Sequence, residues 1–257
     1  MAKQIVILIG LCMGVLQAQD SLCVFKLGGE AYLNKSKKLK SLVKGDFIPF
    51  SAQVILGPQS QLVAIDQEGN AYKVNQAKTY TFNNLLKFKA KGGESLTSKY
   101  LKFVWNELVN EKKRKTIIGG VFRGEVLMQY PIDSARLASN GITLKWQTVE
   151  TNNRYYVFIE NTTTKDLLKL ATNGSEISLF RDQAIFSEGT QFRWAVTTKA
   201  FPNLKNLPFY HFSLIDKTDY QQIKANSYAT LVKDLSALGL EDLDIENTLC
   251  EVYGLCK

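Results

Sequence analysis

Histidine is almost missing: the 257 residues include one, His211, alongside four cysteines and five prolines. A zinc site built on imidazoles needs two or more of them, and a nucleophile–histidine pair would have a single candidate base, so most metal and triad chemistry is excluded. No Cys-x-x-Cys pair occurs, which leaves neither a zinc ribbon nor a thioredoxin-like redox site. The glycine pairs 28–29, 92–93 and 119–120 match neither a Walker loop nor a dinucleotide fingerprint and read as turns. With 24 carboxylates, some glycosidase-like pair can always be imagined, so that signal carries no weight. Long apolar runs are also missing after the N-terminus; none approaches the roughly 18 residues of a membrane-spanning helix.

What is present, 45% apolar and 22% charged residues, belongs to a globular chain able to bury one large core or two to three small ones. The first 18 residues read differently. Lys3 precedes an apolar run from Ile5 to Leu16, and Gln17-Ala18 stands before Gln19-Asp20. That is the pattern of a secretory signal cut after Ala18. A retained anchor would need about 20 apolar residues, and the polar Gln17, Gln19 and Asp20 arrive too soon. Leu11 before Cys12, where lipoprotein processing wants a small residue, argues against a lipid anchor. The expectation is therefore an exported chain, periplasmic or at the cell surface, with no span once the signal is removed.

Export permits disulfides, and Cys12 leaves with the signal, so Cys23, Cys250 and Cys256 remain. Gly254 could turn the chain to join Cys250 to Cys256; Cys23 is a rival partner, and all three also fit as small buried hydrophobes. His211, in Tyr210-His211-Phe212, faces away from its neighbours if the segment is a strand. A catalytic base there would lack a nucleophile, and an ordinary strand position explains it.

The net charge of +8 is uneven. Residues 19–130 hold 18 basic against 9 acidic side chains, and residues 131–257 hold 13 against 15. Lys35, Lys37, Lys38, Lys40 and Lys44 crowd one hairpin region, Lys87, Lys89 and Lys91 a second, and Lys112, Lys113, Arg114 and Lys115 a third. Such density can attract an anionic surface, or simply keep a face solvated. Export makes nucleic acid unfitting and favours anionic lipid, cell-wall polymer or an acidic protein.

From Leu22 to Phe82 short β-rich runs alternate with turn signals at Gly28-Gly29, Lys44-Gly45-Asp46, Gly57-Pro58 and Glu68-Gly69-Asn70, predicting an all-β unit. Tyr100, Leu101, Val104, Trp105 and Leu108 then form one stripe of a helix opened by Glu94-Ser95, expected to dock on a neighbouring β-domain. Strands return from Tyr130 to Leu214, with Ile142, Leu144 and Trp146 alternating against polar partners, and predict a β-sandwich. Beyond Lys217, Ile223, Tyr228, Leu231, Val232, Leu235 and Leu238 share one helical face, Gly239 ends it, and Asp242 can cap a second helix to Tyr253. The expected organisation is a signal over 1–18, a β-domain over 19–90, a linking helix and basic linker over 91–124, a sandwich over 125–216 and a helical hairpin over 217–257.

The succession Gly29-Glu-Ala-Tyr, Leu42-Val-Lys-Gly-Asp46, Val54-Ile-Leu, Ser60-Gln-Leu-Val-Ala and Asp66-Gln-Glu-Gly-Asn-Ala-Tyr72 resembles the FecR domain, a small exported β-domain of bacteria. FecR proteins relay a transporter's signal to a cytoplasmic sigma factor through a membrane span and a cytoplasmic helical segment; this sequence shows neither, so that role is not implied. The second β-block resembles a fibronectin type III or immunoglobulin-like sandwich: Pro131 leads in, Trp146 and Tyr155-Tyr-Val-Phe-Ile159 match the early strands, and Ser187 to Val196 resembles the late one with Phe192 in place of tyrosine. The combination resembles envelope proteins of Bacteroidota. The fold class expected is thus mainly β, with a FecR-like β-domain, a linking helix, a fibronectin/Ig-like sandwich and a C-terminal helical hairpin. The function expected is non-enzymatic, without cofactor, binding or scaffolding an envelope protein or anionic envelope polymer. The rivals are a glycan hydrolase using Trp146 or Trp194 to stack sugars, and a sensory remnant of a FecR-type pathway.

Overall fold

The computed structural model describes residues 21–36, 38–91, 95–114, 126–149 and 154–257. The signal read over 1–18 lies outside them. The fold is mainly β with five helices among the described residues, and it divides into two compact units, residues 1–66 with 71–89, and residues 67–70 with 90–257.

The first unit begins with β1 (Ser21–Gly28), β2 (Ala31–Lys35), β3 (Lys38–Ser41), β4 (Phe47–Pro49), β5 (Gln53–Leu56), β6 (Gln61–Ile65), β7 (Ala71–Val74) and β8 (Thr79–Thr81). A short helix α1 (Phe82–Leu86) and β9 (Lys89–Lys91) follow. Thr81 starts α1 by accepting the Asn84 N–H on its hydroxyl. The strands form a five-stranded sheet, β4-β1-β6-β7-β9, and a four-stranded sheet, β3-β2-β5-β8. Alternation along each strand sends Leu22, Val24, Leu62, Ala64 and Val74 from one sheet, and Ala31, Val54, Leu56 and Tyr80 from the other, into one core that Phe82 and Leu85 close. Two turn signals are explained by what closes them. Asp46 accepts the Val43 N–H at 3.1 Å while Gly45 N–H reaches the Val24 carbonyl at 2.8 Å. Gly29 stands at φ +80°, where the Glu30 N–H donates to the buried Ser60 hydroxyl at 2.8 Å. The sequence signals overlook β3 and β9, both short and lysine-rich.

In the second unit α2 (Leu96–Arg114) precedes β10 (Met128–Tyr130), β11 (Ala135–Leu137), β12 (Gly141–Trp146), β13 (Tyr155–Asn161), β14 (Leu167–Thr172), β15 (Glu176–Phe180), β16 (Gln191–Thr197) and β17 (Tyr210–Leu214). A three-stranded sheet, β10-β12-β15, faces the larger sheet β14-β13-β16-β17-β11 across a core of Leu144, Trp146, Val157, Ile159, Phe192, Trp194 and Phe212. The β12–β15 pair and the β13–β16–β17 triplet are the B–E and C–F–G neighbours of an immunoglobulin-type sandwich. Phe192, where a tyrosine hydroxyl would stand, instead stacks on Phe212 at 5.4 Å.

The C-terminal region departs from a two-helix hairpin. It holds α3 (Lys217–Ser227), α4 (Ala229–Ala237), α5 (Asp242–Tyr253) and a terminal strand β18 (Leu255–Cys256) that extends the larger sheet, parallel to β11. The expected single helix breaks at Tyr228, at φ −120° and ψ 6°. Asn226 and Ser227 just before it compete for backbone hydrogen bonds and favour helix ends. Tyr228 still donates to the Lys224 carbonyl at 3.2 Å and accepts from the Val232 N–H at 2.9 Å, so the bend leaves that residue's backbone satisfied. Gly239 ends α4 at φ +94° as expected. The cap of α5 is Glu241 rather than Asp242, without a side-chain bond; Asp242 and Asp244 occupy the first turn, where the helix dipole favours acid. Helix α2 lies against the β6–β7 turn, where Gly69 leaves room for the Ser98 carbonyl and the Lys102 side chain. Its buried face of Tyr100, Leu101 and Trp105 joins a helical layer with α4 and α5, where Thr97 donates to Asp234 at 2.9 Å and the Thr248 hydroxyl meets the Tyr100 hydroxyl at 3.3 Å.

Candidate binding surfaces

The lysines of the first unit do not form one face. Lys35 and Lys38 oppose each other across the β2–β3 hairpin, Lys40 opposes Leu33, and Lys44 follows on the next turn; all four lysines are exposed. Lys40 is tied to Asp46 at 2.7 Å. Because β3 is the outermost strand of its sheet, these charges sit on an open edge, where lysine also discourages pairing with another chain. The hydrogen bond from Leu42 N–H to the Ala31 carbonyl sets the alternation, so Leu39 and Ser41 turn their backbone groups outward from that edge. Lys87 and Lys89 are exposed too, but Lys87 caps the end of α1 and Lys89 begins β9, the edge strand of the other sheet. Lys37 and Lys115, and the side chains of Lys91, Lys112, Lys113 and Arg114, lie outside the described residues.

Cys250 and Cys256 are joined by a disulfide, and Cys23 is buried and outside it. Gly254, at φ +65°, ends α5 and turns the chain so that its carbonyl accepts the Arg136 N–H at 2.6 Å. The bond therefore fastens α5 to the strand that extends the sandwich.

His211 is exposed on β17 while Phe212 is buried, as alternation requires. Its Nδ1 lies 3.4 Å from Asp133 Oδ1 and its backbone N–H donates to the same oxygen at 2.7 Å. That backbone bond holds the Asp133 carboxyl below the usual carboxylate range. The Ser134 hydroxyl meets the Asp133 carboxylate at 3.4 Å. Trp146 and Trp194 are 1% and 0% exposed, which removes both as sugar-stacking platforms. Among the described residues no group of three or more His, Cys, Asp and Glu is placed to hold a metal ion.

The sequence reading missed a group of cations and rings in the second unit, Lys169 with Tyr156, Phe158 and Phe201. No spacing pattern reveals it, because three elements bring it together.

Fold and surfaces together define a mainly β protein with a sandwich in its second unit, a helical layer beside that sandwich, and exposed charged and aromatic side chains. No family model matches the chain, and no curated protein matches it. Among solved structures it is similar to a crystal structure of the FN1–FN3 domains of chicken CNTN1, at 9% identity and a TM-score of 0.22. That similarity covers 77% of this chain and 62% of that one, so the chain spans less than two thirds of its length.

Proposed function

We propose that the protein is a non-enzymatic, exported component of a bacterial cell envelope that binds or scaffolds an anionic envelope partner through its β-units. The observation that carries this reading is the open β2–β3 edge. Lys35, Lys38 and Lys44 project there beside exposed Leu39 and Val43, a mixture of charge and apolar surface suited to contact rather than to chemistry. The N-terminal pattern of Lys3 and the Ile5 to Leu16 run supports export. The likeness of residues 22–82 to FecR domains supports an envelope setting, with a sensory remnant as a narrower version of the same reading. Burial of both tryptophans weighs against the glycan hydrolase.

Cell fractionation and co-sedimentation test it. The chain is expected in the envelope or periplasmic fraction, and the purified protein is expected to sediment with isolated envelopes in a salt-sensitive way. Reversing Lys35, Lys38 and Lys44 to Glu should reduce the sedimented fraction several-fold. A cytoplasmic location, or sedimentation indifferent to those reversals, would overturn the proposal.

A further inference from the structure

The outer face of the larger sheet in the second unit gathers side chains from distant parts of the sequence. Register places Tyr156, Phe158 and Glu160 of β13 on that face, opposite Ala171, Lys169 and Leu167 of β14 and Thr197, Ala195 and Arg193 of β16. The Lys169 ammonium lies 5.1 Å from the Tyr156 ring centroid, 5.8 Å from that of Phe158 and 4.1 Å from that of Phe201, and it donates to the Ala200 carbonyl. The Arg154 guanidinium stands 5.9 Å from the Tyr156 centroid. Phe201 itself is 92% exposed, the most exposed large apolar residue described. A phenyl ring so open to water, and next to an ammonium, is stabilised by any ligand that covers its free surface and carries negative charge to the cation.

Two further features narrow the ligand. Pro202, next in the chain, walls a cavity of about 230 Å³ lined by Thr197, Lys199, Asn203 and Asn206 together with apolar Val196 and Leu207. Glu160 is already held by Arg193 at 2.6 Å, and no ion pair to Arg154, Lys169 or Lys199 is found among the described residues. This face is therefore positive although residues 131–257 carry slightly more acid than base.

We propose that this surface binds an anionic polysaccharide. The C–H face of one sugar ring covers Phe201, its carboxylate or sulfate meets Lys169 and Arg154, and the hydroxyls of a neighbouring sugar meet Thr197, Lys199, Asn203 and Asn206. A single-stranded nucleic acid is less suited, because successive bases need successive open rings, and here only Phe201 is fully open while Tyr156 is half-buried and Phe158 buried. The site is independent of the lysines of the first unit.

The test measures binding of the purified full chain to polygalacturonate, dextran sulfate, neutral dextran and oligo(dT). Salt-sensitive binding to one or both anionic glycans is expected, their ratio telling carboxylate from sulfate recognition. Phe201→Ala and Lys169→Gln should each raise Kd about tenfold. Since Phe201 is almost wholly exposed, the Phe201→Ala protein should keep its melting temperature, which separates lost binding from lost folding. Replacing Lys35, Lys38 and Lys44 with Gln should leave glycan binding unchanged, so this inference and the envelope-partner reading can fail separately. Equal binding to neutral dextran, tighter binding to oligo(dT), no binding to either anionic glycan, or indifference to Phe201→Ala would overturn it.

Discussion

Two residues show how much depends on single contacts. Gly29 combines a left-handed φ with a close approach: a Cβ there would stand 2.3 Å from the Ser60 hydroxyl oxygen that accepts the Glu30 N–H. Gly29→Ala should cost 1 kcal/mol from backbone strain and about 1 kcal/mol more from the displaced hydrogen bond, read as a lower urea midpoint; those approximate values follow from left-handed glycine and neutral hydrogen-bond energetics. Both residues were visible in the sequence as turn punctuation, but nothing in it linked positions 29 and 60. Tyr220 shows the opposite case. Its ring is 1% exposed and its hydroxyl is buried with no hydrogen-bond partner among the described residues. Removing that hydroxyl relieves an unpaid desolvation, so Tyr220→Phe should raise stability by about 1 kcal/mol in the same titration.

At the level of elements, hydrophobic period named most strands and helices, and what it missed are short or weakly buried strands. Strands β3, β9, β11 and β18 are two to four residues long, too short for a period-two pattern to emerge, while β14, six residues long and also unread, is an outer strand with no buried residue to mark its period. The α2 stripe was legible as amphipathic, yet a stripe does not say which surface covers it. Tertiary packing gave it to α4 and α5. The end of the chain is the clearest case, since Gly254 and two cysteines six residues apart implied a turn, while the parallel pairing of β18 with β11 had no local signal. The disulfide closes a short loop, for which chain entropy gives a contribution of about 2 kcal/mol. Replacing both Cys250 and Cys256 with Ser should lower the denaturation midpoint accordingly, and adding reductant to the unmodified protein should lower it equally.

Across the whole molecule, charge and titration are redistributed by folding. The lysine-rich half seen in composition separates onto different elements, the β2–β3 edge of one sheet and the end of α1 with edge strand β9 of the other, whereas the nominally acidic half carries the aromatic and cationic face around Phe201. Helix packing also shapes the response to alkali. Burial, then the Glu246 charge, pushes Tyr220 up to about 12, and burial, then Tyr228 and Tyr100, pushes Tyr253 up to about 12, from an ordinary value of 10.0. Because the folded state holds these protons more tightly than the unfolded one, the two groups leave stability independent of pH below pH 10 and lower it as pH rises toward about 12. Urea midpoints measured across that range should therefore fall, and less steeply in the Tyr220→Phe protein; a flat profile would count against the burial of these hydroxyls.

Composition and periodicity alone determined the class of fold, the succession of two β-blocks, a helix between them and helices at the end, the scarcity of imidazole and the export-like N-terminal pattern, because each depends on residues near one another in the chain. Only the tertiary structure decided which lysines share a surface, what covers α2, where the last strand pairs and which rings meet Lys169. Those outcomes depend on pairings between segments tens of residues apart, and the free energy that selects them comes from a shared core to which no single segment holds the key.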